Sequence, residues 1–303
     1  MDNQPENSSA AVTCYTGLPG LDQILQSVRL GDNVVFQIDA IEDYRRFVEP
    51  FCAQANRQKR NLIYFRFADH DPVVPKGATA HVFKLKPEEG FENFISEIFA
   101  VIERFGQEAF YVFDSLSELS VDWYSDRMLG NFFRLTCPYL YDYRTVAYFA
   151  MLRNQHTAYA TGAVHNTAQV VLDVYRDGEN FYLAPLKVEG RHSGTMYTLH
   201  RWQKDEFVPV TSSAVVAQIL TKVQQPWLGF AMERRDYWSR MFAQAAVTVK
   251  EPADKKRRTT DQKQGPLLAK LLRMAFSRDP RLLELAEEYL SLTDIAEIGQ
   301  RMI

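Results

Sequence analysis

Residues 31–48, GDNVVFQIDAIEDYRRFV, read as a short apolar strand, a turn and the start of a helix. The strand is Asn33–Gln37, and the turn is Ile38-Asp39-Ala40-Ile41-Glu42-Asp43-Tyr44-Arg45. A turn that cradles phosphate needs glycines, so that backbone N–H groups can converge on the oxygens. It also needs a lysine to neutralise charge and a hydroxyl to hold Mg²⁺, in the spacing G-x-x-x-x-G-K-[ST]. This turn has no glycine, lysine or hydroxyl residue, and it carries three acids. Asp39, Glu42 and Asp43 would repel a polyphosphate. Each unit charge at about 4 Å is worth roughly 1 kcal/mol in water, and several-fold more when partly buried. Arg45 and Arg46 offset some of that repulsion without restoring the missing backbone geometry. Elsewhere, the six histidines (His70, His81, His156, His165, His192 and His200) show no H-x-x-x-H or H-E-x-x-H spacing, so no metal site is expected. No G-x-S-x-G stretch and no Cys/His arrangement points to covalent catalysis.

The elements that would position these groups alternate from residue 13 to about 210. Strands are expected at 33–38, 61–67, 80–85, 109–114 and 145–151. Amphipathic stretches lie between them, such as Phe91, Phe94, Ile95, Ile98, Phe99 and Ile102 at helical spacing. Apolar strands alternating with helices predict an α/β fold, a mainly parallel sheet covered by helices on both faces. The segments 168–176, 180–188 and 195–200, with a turn at Arg176-Asp177-Gly178-Glu179-Asn180, read as a terminal antiparallel meander or hairpin. Residues 212–246 look helical.

Composition sets the outer bounds. The chain has 303 residues, 46% hydrophobic and 24% charged, which is enough for one or two domains with a full core. The net charge of −3 carries no bulk basic character, so nucleic acid is not expected as a partner. Cys14, Cys52 and Cys137 are widely spaced, form no ligand pattern and cannot all pair, which fits a reducing cytoplasm. The start, MDNQPENSSA, has no apolar signal core, and no later stretch offers 18 uninterrupted apolar residues, so no membrane association is expected.

Two motifs bracket the altered turn. Thr16-Gly17-Leu18-Pro19-Gly20-Leu21-Asp22-Gln23-Ile24-Leu25 resembles the TG-[IL]-P-G-L-D-x-[IL]-L opening of KaiC/RecA-like ATPases. Downstream, Ala109-Phe110-Tyr111-Val112-Phe113-Asp114-Ser115-Leu116-Ser117-Glu118-Leu119 looks like that family's Walker B strand. Leu186-Lys187-Val188-Glu189-Gly190-Arg191 resembles the late K-x-R element that reaches a neighbouring subunit's nucleotide. The resemblance covers roughly residues 13–210 and implies a RecA/KaiC-like domain over 13–247. An ungapped alignment from Gly31 puts Tyr44 at the lysine position and Arg45 at the Ser/Thr position, with Ile38 and Asp43 where glycines belong. The Walker A turn is therefore degenerate.

The same resemblance implies roles for single residues, each weighed against a plainer one. Asp114, with Ser115, would hold Mg²⁺ if nucleotide binds, or is a strand-end residue bonding nearby backbone. The family's water-activating glutamate is absent after the second core strand. Asp69 or Asp71 could substitute with help from His70, or the stretch is a polar loop with Asp71-Pro72 starting a turn. Lys187 and Arg191 would act in trans in a ring, or are ordinary charges on a strand and its turn. Arg45, Arg46, Asp114, Ser115, Lys187 and Arg191 together would make a vestigial nucleotide site. No cofactor is expected unless that site still takes Mg-ATP or Mg-ADP. The aromatics at 123–148 (Trp123, Tyr124, Phe132, Phe133, Tyr139, Tyr141, Tyr143 and Tyr148) read as core packing or as a docking surface.

The remaining organisation is a disordered lead at 1–12, a linker at 248–265 and a helical C-terminal unit at 266–303. The linker's Lys-Lys-Arg-Arg is read as solvated, since acids flank it. Leu267, Leu268, Leu271, Leu272, Leu282, Leu283 and Leu285 repeat at helical spacing. This tail resembles a segment of pyruvate phosphate dikinase/phosphoenolpyruvate synthase-like proteins. No Thr-His-Gly-Gly-like phosphohistidine loop accompanies it, so phosphotransfer within this chain is not expected. The chain reads as a degenerate, non-hydrolysing KaiC-like regulatory or scaffolding protein with a protein partner or a self-oligomer. The rivals are an active ring ATPase with a rebuilt phosphate site and, disfavoured by the acidic balance, a DNA-associated relative.

Overall fold

The computed structural model describes residues 13–223, apart from Tyr124. The lead at 1–12, the linker at 248–265, the C-terminal unit at 266–303 and most of the helical stretch at 212–246 lie outside the described residues. In chain order the elements are β1 (Thr13–Cys14), α1 (Pro19–Leu25), β2 (Val28–Arg29), β3 (Asn33–Ile38), α2 (Ile41–Arg57), β4 (Leu62–Arg66), β5 (His81–Lys84), α3 (Phe91–Phe105) and β6 (Phe110–Ser115). There follow α4 (Leu116–Asp122), α5 (Asp126–Asp142), β7 (Val146–Leu152), α6 (Ala158–Thr167), β8 (Val170–Asp177), β9 (Asn180–Val188), β10 (His200–Gln203), β11 (Glu206–Pro209) and α7 (Ser213–Val223).

Nine of the described strands form one sheet in the order β11-β10-β9-β8-β3-β7-β6-β4-β5. The six strands from β8 to β5 are parallel, and β9, β10 and β11 extend the β8 end antiparallel. The central strands are continuous apolar runs because they are buried on both faces. Val34, Phe36 and Ile38 of β3 point into one core with Phe47, Phe51 and Ala55 of α2. Val35 points into the opposite core with residues of α3, α4, α5 and α6. The same alternation places Phe110 and Val112 of β6 on the α2 side, and Tyr111 and Phe113 on the other.

Three boundaries differ from the sequence reading. The segment 168–176 is more than one arm of a terminal hairpin, because β8 also pairs parallel with β3 and is a central strand. Its unbroken Val-Val-Leu run suits that double burial. The third antiparallel strand runs His200–Gln203 rather than 195–200, since Ser193–Thr198 forms turns that bury Met196. A fourth strand, β11, follows it. The turn after β3 is also much shorter than Ile38–Arg45. The strand ends at Ile38, the helix starts at Ile41, and only Asp39 and Ala40 lie between.

The segment Thr16–Leu25 is a packing device. Thr16 N–H donates to Asp22 Oδ1 at 2.8 Å, and Leu18 N–H donates to Thr16 Oγ1 at 3.1 Å, which closes the entry to α1. Pro19 sits in the first helical turn, where its missing N–H costs nothing. Gly17 has φ +85°, and a Cβ there would stand 2.2 Å from the Pro50 carbonyl oxygen of α2. A Cβ on Gly20 would stand 2.8 Å from the Asp205 carbonyl oxygen in the β10–β11 turn. Backbone therefore meets backbone at both glycines, and no side chain fits.

Candidate functional site

In a parallel α/β sheet, ligands bind outside the carboxyl ends of the strands. That edge here is formed by Asp39 after β3, Arg66 through Asp71 at and after β4, Asp114 and Ser115 of β6, and Arg153 after β7.

Two residues cannot wrap a phosphate. The β3–α2 junction also answers its own helix dipole. The N-cap residue, Ala40, supplies no side-chain cap, but Glu42 and Asp43 lie in the first turn of α2. Carboxylates there satisfy the field that would otherwise favour a bound anion. Burial raises the carboxyl of Asp43 above its ordinary pKa, opposed by Arg176 at 3.8 Å. Tyr44, Arg45 and Arg46 belong to the helix rather than to a turn. Tyr44 is fully buried against Phe36, with ring centroids 5.6 Å apart. Arg45 Nη2 donates to the Asp71 carbonyl at 2.8 Å. Arg46 lies over the Phe181 ring at 4.0 Å.

The space beside the end of β3 holds Arg153. Its Nε donates to Asp39 Oδ1 at 2.9 Å, its Nη1 to Asp173 Oδ1 at 2.6 Å, and its Nη2 to the carbonyls of Gln37 (3.3 Å) and Val174. The guanidinium also lies 4.1 Å from the centre of the Tyr175 ring, and Tyr175 Oη donates to Asp173 Oδ2 at 2.7 Å. Burial pushes the carboxyl of Asp173 above its ordinary pKa, and Arg153 opposes that push. The cation thus ties the ends of β3 and β7 to the middle of β8.

Asp114 is completely buried, and all its ligands are protein donors. Oδ1 accepts from Tyr64 Oη. Oδ2 accepts from Arg66 Nη1 at 2.6 Å, Phe67 N–H at 2.9 Å and Ala68 N–H at 3.0 Å. His70 Nε2 stands 3.8 Å from Oδ1 and 3.4 Å from the Ser115 N–H. A carboxylate that already neutralises an arginine and accepts four hydrogen bonds is poorly suited to Mg²⁺. Asp69 and Asp71 are exposed beyond β4. Ser115 Oγ is buried with no hydrogen-bond partner. The two-residue junction therefore offers no cradle of backbone N–H groups, and Asp114 is engaged by protein donors.

Lys187 and Arg191 do not meet there. Lys187 Nζ donates to the carbonyls of His165 (3.1 Å) and Asn166 (3.4 Å), where a cation satisfies the last turn of α6. Arg191 pairs two-pronged with Asp32, at 2.8 and 3.1 Å, beside the opposite, amino-terminal end of β3, and its side chain is fully buried.

The sequence reading missed a second polar chain at the carboxyl edge. Ser117 Oγ lies 2.7 Å from His156 Nε2, and His156 Nδ1 lies 2.8 Å from Asp126 Oδ1. The order Ser–His–Asp is that of an acyl-transfer triad. It is sealed, however: Ser117 is 2% exposed and the His156 side chain 1%. Ser117 Oγ also accepts the Leu152 N–H at 2.8 Å, and Asp126 Oδ2 accepts the Thr157 N–H at 2.5 Å. The chain clamps α4, α5 and the segment after β7 together. Among the described residues, no three His, Cys, Asp or Glu side chains group as metal ligands, and no helix is long and apolar enough to cross a membrane. Cys14, Cys52 and Cys137 are buried, and none of the three is in a disulfide.

No protein-family model matches the chain, and no curated protein matches it by sequence.

Proposed function

We propose that this chain is a RecA/KaiC-like protein that has lost nucleotide turnover and works as a regulatory or scaffolding partner. The observation that carries the reading is the junction after β3, crossed in two residues, with Arg153 seated beside it between Asp39 and Asp173. The strand order β8-β3-β7-β6-β4 supports the fold assignment, since the strand that would lead into a phosphate loop lies between the fifth and the fourth of the core. The Thr16–Leu25 segment supports it too, because its residues have packing roles that outlast any loss of catalysis.

The resemblance of the tail directs the search for a partner toward phosphoenolpyruvate synthase/pyruvate phosphate dikinase-like enzymes. Co-elution of this chain with such an enzyme in size-exclusion chromatography would support that choice, and separate elution would remove it. The rival, a ring ATPase built from Arg45, Arg46, Asp114 and a neighbour's Lys187 and Arg191, would have to break the internal contacts of each of these residues.

The deciding experiment is titration calorimetry of the full chain with Mg-ATP and Mg-ADP. The expected result is no heat of binding. Binding tighter than about 100 μM, worth roughly 5.5 kcal/mol, would overturn the reading in favour of the ring ATPase.

A further inference from the structure

We propose that the groove between α3 and α5 docks an amphipathic helix with a basic flank, presented by a partner protein; the inference rests on the scaffolding role proposed above. The groove encloses about 500 Å³. Phe91, Ile95 and Phe99, spaced by four along α3, form one wall, and Leu135 of α5 stands 49% exposed opposite them. Ile95 is buried and Phe91 and Phe99 are half-buried, so Leu135 presents most of the exposed apolar surface of the strip.

The walls are fixed before anything binds. The Phe91 ring meets Trp123 edge-on at 5.1 Å, and Trp123 Nε1 is anchored to the Pro87 carbonyl at 3.1 Å. Phe99 stacks on Tyr139 at 4.2 Å. A preformed groove avoids the ordering cost that weakens binding by mobile surfaces. From Phe91 to Glu103 the strip runs about 18 Å at 1.5 Å per residue, the length of about three helical turns. That is the helix-in-groove mode, in which anchors at i, i+3 or i+4 and i+7 fill the strip.

The rim decides the charge of the occupant. Both charged residues that line the groove, Glu92 and Glu103, are acidic, and Glu103 is held in place by Tyr139 Oη at 2.6 Å. The neighbouring arginines face other partners: Arg134 bonds Tyr159 Oη at 2.7 Å, and Arg104 lies over Phe105 at 5.6 Å. An apolar strip with an acidic rim selects an apolar face flanked by lysine or arginine, and opposes an acidic one.

The test uses the full chain and a labelled helical peptide of about 18 residues, with leucines at i, i+3, i+4 and i+7 and lysines on the flanks. A matched peptide carries glutamates instead, and binding is read by fluorescence anisotropy. The lysine peptide is expected to bind and to weaken with added salt. Ala100→Trp fills the groove without changing charge, and is expected to weaken binding at least about tenfold. Glu92→Lys is expected to weaken the lysine peptide and strengthen the glutamate one; the melting temperature should be unchanged in Ala100→Trp and slightly lower in Glu92→Lys, because Glu92 lies in the first turn of α3. Equal binding to wild type and Ala100→Trp, or no binding at all, overturns the proposal. So does a doubled mass in light scattering that Ala100→Trp abolishes, because a second copy would then fill the groove. Nucleotide calorimetry is independent of these outcomes: tight Mg-ATP binding would remove the scaffolding reading with the peptide result untouched.

Discussion

Arg153 Nη1 and Asp173 Oδ1 meet at 2.6 Å beside the carboxyl end of β3, in a pair whose side chains are only 12% and 10% exposed. The same guanidinium reaches Asp39 on the two-residue junction. The edge of the sheet therefore has its own internal cation. Arg153→Ala leaves Asp173 buried without its cation and with only the Tyr175 hydroxyl as a donor, and loss of one member of a buried pair typically costs about 3–5 kcal/mol. The expected outcome is a lower denaturant midpoint with an unchanged slope. The sign with pH follows from burial, which already holds Asp173 above its ordinary pKa. Without the arginine its pKa rises further. A raised carboxyl favours the folded state at low pH and loses that contribution as pH rises. The deficit of the variant is thus largest at neutral pH and shrinks toward acid. An Arg153→Ala protein as stable as wild type at pH 7 would show that the pair contributes nothing.

Asp114 invites a different substitution test from the usual one for a strand-end acid. Its two oxygens accept from Tyr64, Arg66 and two backbone N–H groups, all inside the protein. Asp114→Asn removes the negative charge that pairs with Arg66 and replaces one acceptor, facing Tyr64 in the less costly orientation, with a donor. We expect a loss of about 3–5 kcal/mol in chemical unfolding, the same with and without Mg-ATP. A stable Asp114→Asn protein would mean that the network is looser than its distances imply. Asp114→Ala is consequently a poor control for nucleotide binding, because it removes the fold's own contacts first.

Ser117, His156 and Asp126 should behave as a clamp rather than as a nucleophile. Ser117→Ala strands the Leu152 N–H and one nitrogen of His156, and each buried unsatisfied group costs about 1–3 kcal/mol. The loss should appear as a lower melting temperature. The wild-type chain should also stay unlabelled by a fluorophosphonate probe, since the hydroxyl is 2% exposed. Labelling at residue 117 on intact-protein mass spectrometry would show that the seal opens.

The parallel strands were legible because burial on both faces writes itself as an unbroken apolar run, as in Val34-Val35-Phe36 and Phe110-Tyr111-Val112-Phe113. The start of α2 was not, because Ala40 offers no capping side chain and Ile41-Glu42-Asp43 reads equally well as a turn. The edge strands β10 and β11 were blurred for another reason: four-residue strands with exposed positions leave too short a pattern to fix their ends. Asp39 and Asp114 sit at strand ends that sequence could locate, and Asp173 lies within β8, but the cations that neutralise them could not be assigned. Arg153 bonds a residue 114 positions upstream, and only the strand order makes them neighbours. One signal was available, since Arg153 is the first charge beyond the apolar run 145–151. The chain Ser117–His156–Asp126 has no spacing signature at all, because its members come from three different segments.

Asp22 gives the most direct pH test of the opening segment. Burial raises its carboxyl from the ordinary 3.8 to about 6, outweighing the Thr16 N–H and hydroxyl that favour the charged form. In the unfolded chain Asp22 ionises near 3.8, whereas in the folded chain it keeps its proton until about 6. Its contribution to stability is therefore complete below about pH 4 and is lost as pH rises through about 6. Two pH units correspond to about 2.7 kcal/mol, and solvent screening of this half-buried group reduces that to roughly 1 kcal/mol. Asp22→Asn keeps an oxygen that can accept the Thr16 N–H, now at 2.8 Å, and removes the titration. The difference in unfolding free energy between wild type and Asp22→Asn should therefore move against wild type by roughly 1 kcal/mol from pH 4 to pH 7. Subtracting the two curves cancels the other raised carboxyls, Asp32, Asp43, Asp122 and Asp173. A flat difference would show that Asp22 is ionised in the folded chain at pH 4, and that water reaches the turn that Thr16 closes.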